Sequence, residues 1–497
     1  MNFLYFSTNI WKKYIPERIM FSDASSFAVA GFTYEKDKKF ENMVEAGALL
    51  CVSEPFVHVL ANKEHEFRCE YCMERADTLK RCSACGTMKY CSITCQKADW
   101  FIHKKECPCL KRIQPNVPTD STRLLLRLVI RFTDSCLSQG SRGELVLRRS
   151  FSALMSHEKE IQSDGKRCEQ LSQHLFTLQK VTSGILNLPS STDLLQIFGK
   201  MTTNSFTICG EEMQSIGVGI YLGPSLLDHR CKPNAVITFQ GKFLHLRAVT
   251  PVSNPSPSNI FISYIDQLDT GAERRRSLRE QYYFHCDCSW CKDQELEKTM
   301  QAIKCPEQSC KEGHVTVTDD DATDISCTVC GLSVSDESFI QKALGLEEDC
   351  RRCLEKAKAG KQSNDPDQVL NVCEQCLKCY AEFYHPLNLS FVKILDYAFD
   401  ASVDLQLWEK AVDYGSKTLP AYRKYYPPYS PNVGIQLLKL GKIQLYLQNL
   451  KEALRFLQQA NDILSVTHGE DHMLHKQLKE LLDQTQEEMR SRLENGS

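Results

Sequence analysis

Residues 69–107 read CEYCMERADTLKRCSACGTMKYCSITCQKADWFIHKKEC, and eight of these 39 positions carry a thiol or an imidazole, in pairs. The pairs are Cys69 with Cys72, Cys82 with Cys85, Cys91 with Cys95, and His103 with Cys107. Eight such donors make two four-coordinate sites of the kind structural Zn²⁺ takes. The short spacings let a backbone knuckle or one helical turn present two donors to one ion. His103 and Cys107, at i and i+4, share a helix face. The segment is too short for a hydrophobic core, so bound metal must supply its folding energy. Residues 80–112 set eight basic side chains against Asp99 and Glu106, a local net charge of +6. Such a face suits nucleic acid, with a simply solvated surface as the plainer alternative.

The whole chain has 497 residues, a formal net charge of -3, 42% hydrophobic residues and 25 cysteines. At roughly 100–200 residues per domain, that length implies about two to five domains. The composition is that of folded globular protein, and the balanced charge excludes wholesale coating of DNA or an acidic membrane. Phe3 through Phe6 is apolar, but Ser7 and Lys12 interrupt it before a secretory core can form. No stretch reaches the roughly 18 apolar residues a membrane span needs. A reducing, intracellular setting follows as the expectation, with clustered cysteines serving as thiolate ligands and scattered ones as buried thiols.

Three further groups of cysteines stand C-terminal to the first. Cys286, Cys288 and Cys291 give three thiolates and need a fourth ligand, for which Cys231 is the nearest isolated candidate. An ordinary buried thiol is the alternative at Cys231. Cys305, Cys310, Cys327 and Cys330, followed by Gly331, have the spacing of a zinc ribbon. Cys350, Cys353, Cys373, Cys376 and Cys379 fall in helical patterns with three-residue spacing, so a helix–helix core seam explains them better than metal does. With Cys51, Cys109, Cys136, Cys168 and Cys209, these make the ten ordinary thiols.

Pattern changes divide the rest. Short β-like runs occur at Ala48–Val52 and Phe56–Leu60, helical periodicity runs from 121 to 200, and short strands return between Phe206 and Ile265. Beyond about 336 the chain reads as helix, with loops signalled by Gly360, Pro386, Pro427, Pro428, Pro431 and Gly469. Leu440, Gly441 and Tyr446 with Ala453 and Leu457 resemble a tetratricopeptide (TPR) helix pair.

Residues that carry chemistry lie in Asn204-Ser205-Phe206, Leu227 through Asn234, Ile262-Ser263-Tyr264 and Tyr282 through Cys291. Together with the cysteine-rich segment, whose Tyr90-Cys91-Ser92 and Cys95-Gln96 flanks resemble a MYND finger, they resemble the SET-and-MYND (SMYD) family of protein-lysine methyltransferases. The likeness runs from about Val44 to the C-terminus. Asn204 through Cys209 and Val466-Thr467-His468-Gly469 are most specific to the branch of that family's third member.

The resemblance implies an α+β multidomain chain. Residues 1–68 are then the first part of a split SET domain, 69–107 the MYND finger, 108–200 a helical insert and 201–270 the SET core. Residues 271–300 form a post-SET segment, 301–335 an inserted ribbon-like segment, and 336–497 an all-α, TPR-like domain. The finger's ligand sets become Cys69, Cys72, Cys91, Cys95 and Cys82, Cys85, His103, Cys107. Zinc content is three per chain, or four if the insert binds.

By the same likeness, the activity is methyl transfer from S-adenosylmethionine to a lysine ε-amine in histones or other proteins. Tyr264 is then the active-site tyrosine, and Phe206, Tyr282 and Phe284 wall the lysine channel. Asn204, Asp228, His229, Tyr264 and Phe284 contact the cofactor. Implied partners are a protein substrate, a proline-rich peptide at the finger and a chaperone at the helical end, with DNA contact by the finger as an addition. The chain is expected to be monomeric, with a cytoplasmic and nuclear location. Three departures stand out. The family's Asn-His-Ser-Cys is here Asp228-His229-Arg230-Cys231, and its Gly-x-Gly turn has no counterpart in Thr33–Asn42, which lacks glycine. The family's Gly-Glu-Glu is also replaced, by Asn254-Pro255-Ser256-Pro257-Ser258. These departures support a rival reading, a scaffold that binds partners through finger and helices around a weakened SET pocket.

Overall fold

The computed structural model describes residues 43–133, 149–317, 325–380 and 382–495. Cys136 and the glycine-free stretch 33–42 lie outside the described residues. Strand Phe243–Ala248 lies between Leu49–Ser53 and Ala235–Gln240 in an antiparallel sheet. Its alternation explains why: Leu244, Leu246 and Ala248 point into the core while Phe243, His245 and Arg247 point away. A second antiparallel sheet sets Ser215–Ile220 between Val57–Leu60 and Ser205–Cys209. Gly217 permits that pairing, because a Cβ there would stand 2.5 Å from both the Val59 carbonyl oxygen and the Met73 methyl. The short strand Asp228–His229 pairs in parallel with Phe261–Ile262. Asn234 locks the same crossing, donating to the Asn259 carbonyl at 2.7 Å and accepting from the Phe261 amide at 2.7 Å.

Helix Asp120–Thr133 is buried on every side from Thr122 to Ile130 and forms the centre of the helical insert. Its apolar residues meet Phe56, Val57, Val59 and Ile220 of the second sheet, so sheet and insert share one core. Two of its three arginines, four residues apart, are also buried. Arg123 and Arg127 turn toward the helix Ile93–Arg112 and find Glu106 and Asp99 there. Asp99 and Glu106 are therefore neutralised in the interior. Lys80, Arg81, Lys97, Lys104, Lys111 and Arg112 remain exposed, so the outer face of the finger keeps its basic character with no acid of residues 80–112 exposed beside them.

The C-terminal region is all-helical, from Glu337–Gln362 to Met473–Asn495. Gly360 does not end in a loop as its residue type suggests. It stays in the last turn of Glu337–Gln362, where a Cβ would stand 2.9 Å from Val369, so the bare backbone lets the next helix approach. Gly441 does the same against Leu457 at 2.7 Å, inside the helix pair Pro431–Tyr446 and Leu450–Thr467. The region returns to the sheets at one edge. There Arg247 Nε donates to the His468 carbonyl at 3.1 Å, and His472 Nε2 lies 3.0 Å from the Phe239 carbonyl.

Candidate active site and metal centres

Four groups of donor atoms each lie within 4.8 Å of one another: Cys69, Cys72, Cys91, Cys95; Cys82, Cys85, His103, Cys107; Cys231, Cys286, Cys288, Cys291; and Cys305, Cys310, Cys327, Cys330. Tetrahedral zinc with Zn–S bonds of about 2.3 Å places its sulfurs roughly 3.8 Å apart. Cys72 and Cys91 are 3.8 Å apart, Cys231 and Cys286 3.9 Å, and Cys310 and Cys327 3.8 Å. These separations fit one ion at each group, and the donor types fit zinc.

Local structure builds each group. Ser92 caps the helix Ile93–Arg112 by accepting from the Cys95 amide, which turns Cys91 and Cys95 onto one side at 3.5 Å. On the same helix His103 Nε2 faces Cys85 at 3.6 Å while its Nδ1 meets Glu106 at 3.1 Å. That carboxylate fixes the ring as outer partners of metal-bound histidines do. In the insert, Ile303–Lys304 pairs with His314–Val315 in a hairpin that carries Cys305 and Cys310, and the Thr328 amide donates to the His314 carbonyl at 3.0 Å to bring Cys327 and Cys330 alongside. A side chain at Gly313 would collide with the sulfurs of Cys310 and Cys327, a requirement for glycine that the cysteine spacing did not reveal.

The third group joins distant parts of the chain. Cys231 follows the strand Asp228–His229, while the other three thiols follow the helix Gly271–Tyr282. Around them Tyr264, Tyr282, Phe284 and Trp290 form a single apolar cluster. The Tyr264 ring lies 4.9 Å from that of Tyr282, and Phe284 stands edge-on to Tyr264 at 6.4 Å. Phe206 lies on the other side, packed on the sheet core and edge-on to the buried Tyr221 at 5.7 Å.

His229 ties this cluster together. Its Nδ1 accepts from the Tyr264 amide at 3.0 Å, so Nε2 carries the proton and faces the Cys231 sulfur at 3.2 Å. The imidazole is thus a strut between the third cysteine group and the tyrosine backbone. Burial, with Arg274 nearby, lowers its pKa to about 4, keeping it neutral in that role. The Tyr264 hydroxyl donates to the Leu227 carbonyl at 2.5 Å. Burial, together with the charge of Asp228, pushes its pKa well above the ordinary phenol value. Burial likewise pushes Tyr282 up to about 12.

Asn204 closes the helix Ser191–Asn204 and spends its amide on the carbonyls of Met155 at 3.1 Å and Lys200 at 2.9 Å. Asp228 is exposed beside this cluster, and Arg230 lies over the Phe261 ring at 3.8 Å, facing away from it. Arg149, which carried no sequence signal, is electrostatically coupled to Tyr264 and donates to the Ser225 carbonyl at 2.6 Å.

Beside the segment that carries Tyr264, a cavity of about 190 Å³ is lined by Thr207, Met213, Ser263, Ile265 and Asp266 together with Pro427 and Tyr429 of the helical region. An adjoining cavity of about 210 Å³ shares Met213, Asp266 and Asn432 and adds Glu212, Asp396 and Asp400. Burial raises the carboxyl pKa of both Asp396 and Asp400, each reinforced by a neighbouring carboxylate or eased by a lysine.

Comparison with known proteins places these features in context. The MYND finger family matches residues 69–107. The human histone-lysine N-methyltransferase SMYD3 is 35% identical over 449 residues, covering 90% of this chain and 94% of its own length. The Arabidopsis thaliana histone-lysine N-methyltransferase ASHR1 is 29% identical, covering 89% and 91%. The zebrafish (Danio rerio) N-lysine methyltransferase SMYD2-A is 26% identical, covering 88% and 93%.

Proposed function

The chain belongs to the SET-and-MYND family of lysine methyltransferases, and from that premise we propose that it methylates the ε-amine of lysine in a histone or other protein, using S-adenosylmethionine. The observation that carries this reading is the meeting of Tyr264, Tyr282, Phe284 and the His229 strut on the Cys231–Cys291 group.

The residues present fit the cofactor by their chemistry. Phe284 offers a half-buried ring to a flat base, and the exposed Asp228 carboxylate suits an ammonium. By the family likeness His229 and Asn204 join them as cofactor contacts, and Arg149 adds a cation beside Tyr264. When bound, S-adenosylmethionine supplies an electrophilic methyl group next to a positive sulfur.

The remaining work falls to the protein. A lysine amine attacks only when neutral, and a channel walled by Phe206, Tyr282 and Phe284 strips water from it and lowers its pKa. The aromatic faces tolerate the methylated cation afterwards. Tyr264 has too high a pKa to serve as a base, so its hydroxyl orients the amine by hydrogen bonding. Fixing that hydroxyl and the amine in one geometry supplies much of the rate. The acidic cleft along Asp266, Asp396 and Asp400 suits a lysine-bearing segment with further basic residues.

Further roles follow from the surface. Ile93 and Trp100 are 62% and 44% exposed on the finger helix, which favours docking of a proline-rich peptide there, beside lysines that suit phosphate. The helical end is the place for a chaperone contact. Among the described residues no helix is long and apolar enough to cross a membrane, and cytoplasm and nucleus are the proposed locations.

The test is labelled-methyl transfer by the full-length protein to histones and cytosolic proteins, with Tyr264→Phe as control. Transfer no greater than that control refutes the activity. Asp228 and the glycine-free 33–42 segment favour the scaffold reading instead. Calorimetric titration with S-adenosylmethionine separates the two: micromolar binding supports the enzyme, and no detectable heat supports the scaffold.

A further inference from the structure

The helices Glu337–Gln362 and Pro366–Tyr380 form a hairpin turning near residue 364. The first helix carries Cys350 and Cys353 and the second Cys373, Cys376 and Cys379, and the three-residue spacing places neighbours on one face. The hairpin sets Cys350 opposite Cys376, with sulfurs 3.9 Å apart. Cys353 lies next to Cys373 and Cys376, and its thiol donates to the Val372 carbonyl at 3.6 Å. All four thiols are buried, packed among Leu346, Ala357, Val369 and Leu370.

As a packing seam this agrees with the helical spacing. What the spacing did not contain is that four soft donors converge in pairs from opposite helices within a dry interior. Thiols of this kind select thiophilic d¹⁰ ions over hard cations. The quartet is not among the groups whose donors all lie within 4.8 Å of one another, as the four zinc-type clusters are. Its sulfurs run instead as a string, Cys350 to Cys376 to Cys353 to Cys373. A tetrahedral ion needs all four donors around one point, whereas a two-coordinate ion needs only an opposed pair.

We propose that this hairpin binds copper(I), one ion across Cys350 and Cys376 and a second across Cys353 and Cys373. Each ion would form two copper–sulfur bonds and release the two thiol protons, with no change of oxidation state. Cys376, the least buried of the four, lies one turn from the exposed Cys379 and marks the side from which the ion arrives.

The test uses the full-length, zinc-loaded protein, titrated anaerobically with copper(I) presented as its bicinchoninate complex, while released zinc is followed with a chromophoric chelator. The expected result is uptake of about two equivalents, with no zinc released. Cys350→Ala/Cys376→Ala and Cys353→Ala/Cys373→Ala should each lose about one equivalent, and Cys379→Ala none. The two double variants remove different pairs, so either one that keeps its helical circular dichroism suffices. Equal uptake by parent and folded double variant overturns the proposal. So does copper uptake only as zinc leaves, loss of uptake in Cys379→Ala, or a fifth zinc in the isolated protein that a double variant lacks.

Discussion

Replacing Glu106 by Gln tests how the finger is held to the rest of the molecule. Glu106 is fully buried on the finger helix, one turn beyond His103. Its Oε1 accepts from Arg123 Nε at 2.7 Å and Arg127 Nε at 3.0 Å. Its Oε2 accepts from an Arg127 amino nitrogen at 2.8 Å and faces His103 Nδ1 at 3.1 Å. Glutamine has the same shape but only one acceptor oxygen, so whichever way its amide turns, two buried donors meet an NH₂ group. Each stranded donor costs about 1–3 kcal/mol, and breaking a buried ion pair from one side costs about 3–5 kcal/mol. We take ~3–5 kcal/mol as the destabilisation, enough to lower the Tm of the finger and helical insert by on the order of 10 °C. Loss of the outer partner of His103 should also weaken zinc at its site by roughly 10- to 100-fold. Glu66→Gln is the control, since Glu66 meets Lys89 from an exposed position where solvent screens the pair. Differential scanning calorimetry with competition by a zinc chelator reads both effects. If Glu106→Gln melts with the parent and holds zinc equally well, the network is not what joins finger to insert.

Other substitutions probe other parts. Gly313→Ala forces a methyl against the sulfurs of Cys310 and Cys327, so elemental analysis should find about one zinc fewer than in the parent. His229→Ala removes both ends of the strut from Tyr264 to Cys231. At about 1–3 kcal/mol for a buried hydrogen-bonding partner, kcat/KM should fall roughly 5- to 150-fold while circular dichroism stays unchanged; parental activity would remove His229 from the mechanism. Burial, with Arg247 and His472 beside it, lowers the pKa of His245 to about 4, and burial also lowers His468 and His472 at the same edge of the helical region. These rings are neutral when folded and prefer protons when unfolded, so their stabilisation is complete above the ordinary histidine value and lost as pH falls toward 4. Melting temperature should decline across that window, and less steeply in His245→Gln; equal slopes would contradict the assignment.

Much of this was legible in the chain because metal ligation leaves a local signature. Two thiols that share an ion must stand a knuckle or a helical turn apart, and that spacing survives in Cys69–Cys72, Cys82–Cys85 and Cys327–Cys330. Strand alternation at Phe243–Ala248 and the helical runs after residue 336 were equally local. Gly360 misled because glycine signals a break from its backbone freedom alone, whereas here its missing side chain serves a helix contact.

Sequence by itself determined which residues could bind metal, where strands and helices form, and which family the motifs resemble. Tertiary structure alone decided what those residues meet. It put Asp99 and Glu106 inside rather than on a solvated face, because Arg123 and Arg127, more than ten residues away in sequence, arrive to neutralise them. It made His229 a strut and Tyr264 a neutral hydroxyl, and it set two cysteine pairs face to face in one hairpin. Spacing along a chain fixes what neighbours share, but burial, charge compensation and the direction of a side chain depend on segments that only folding brings together.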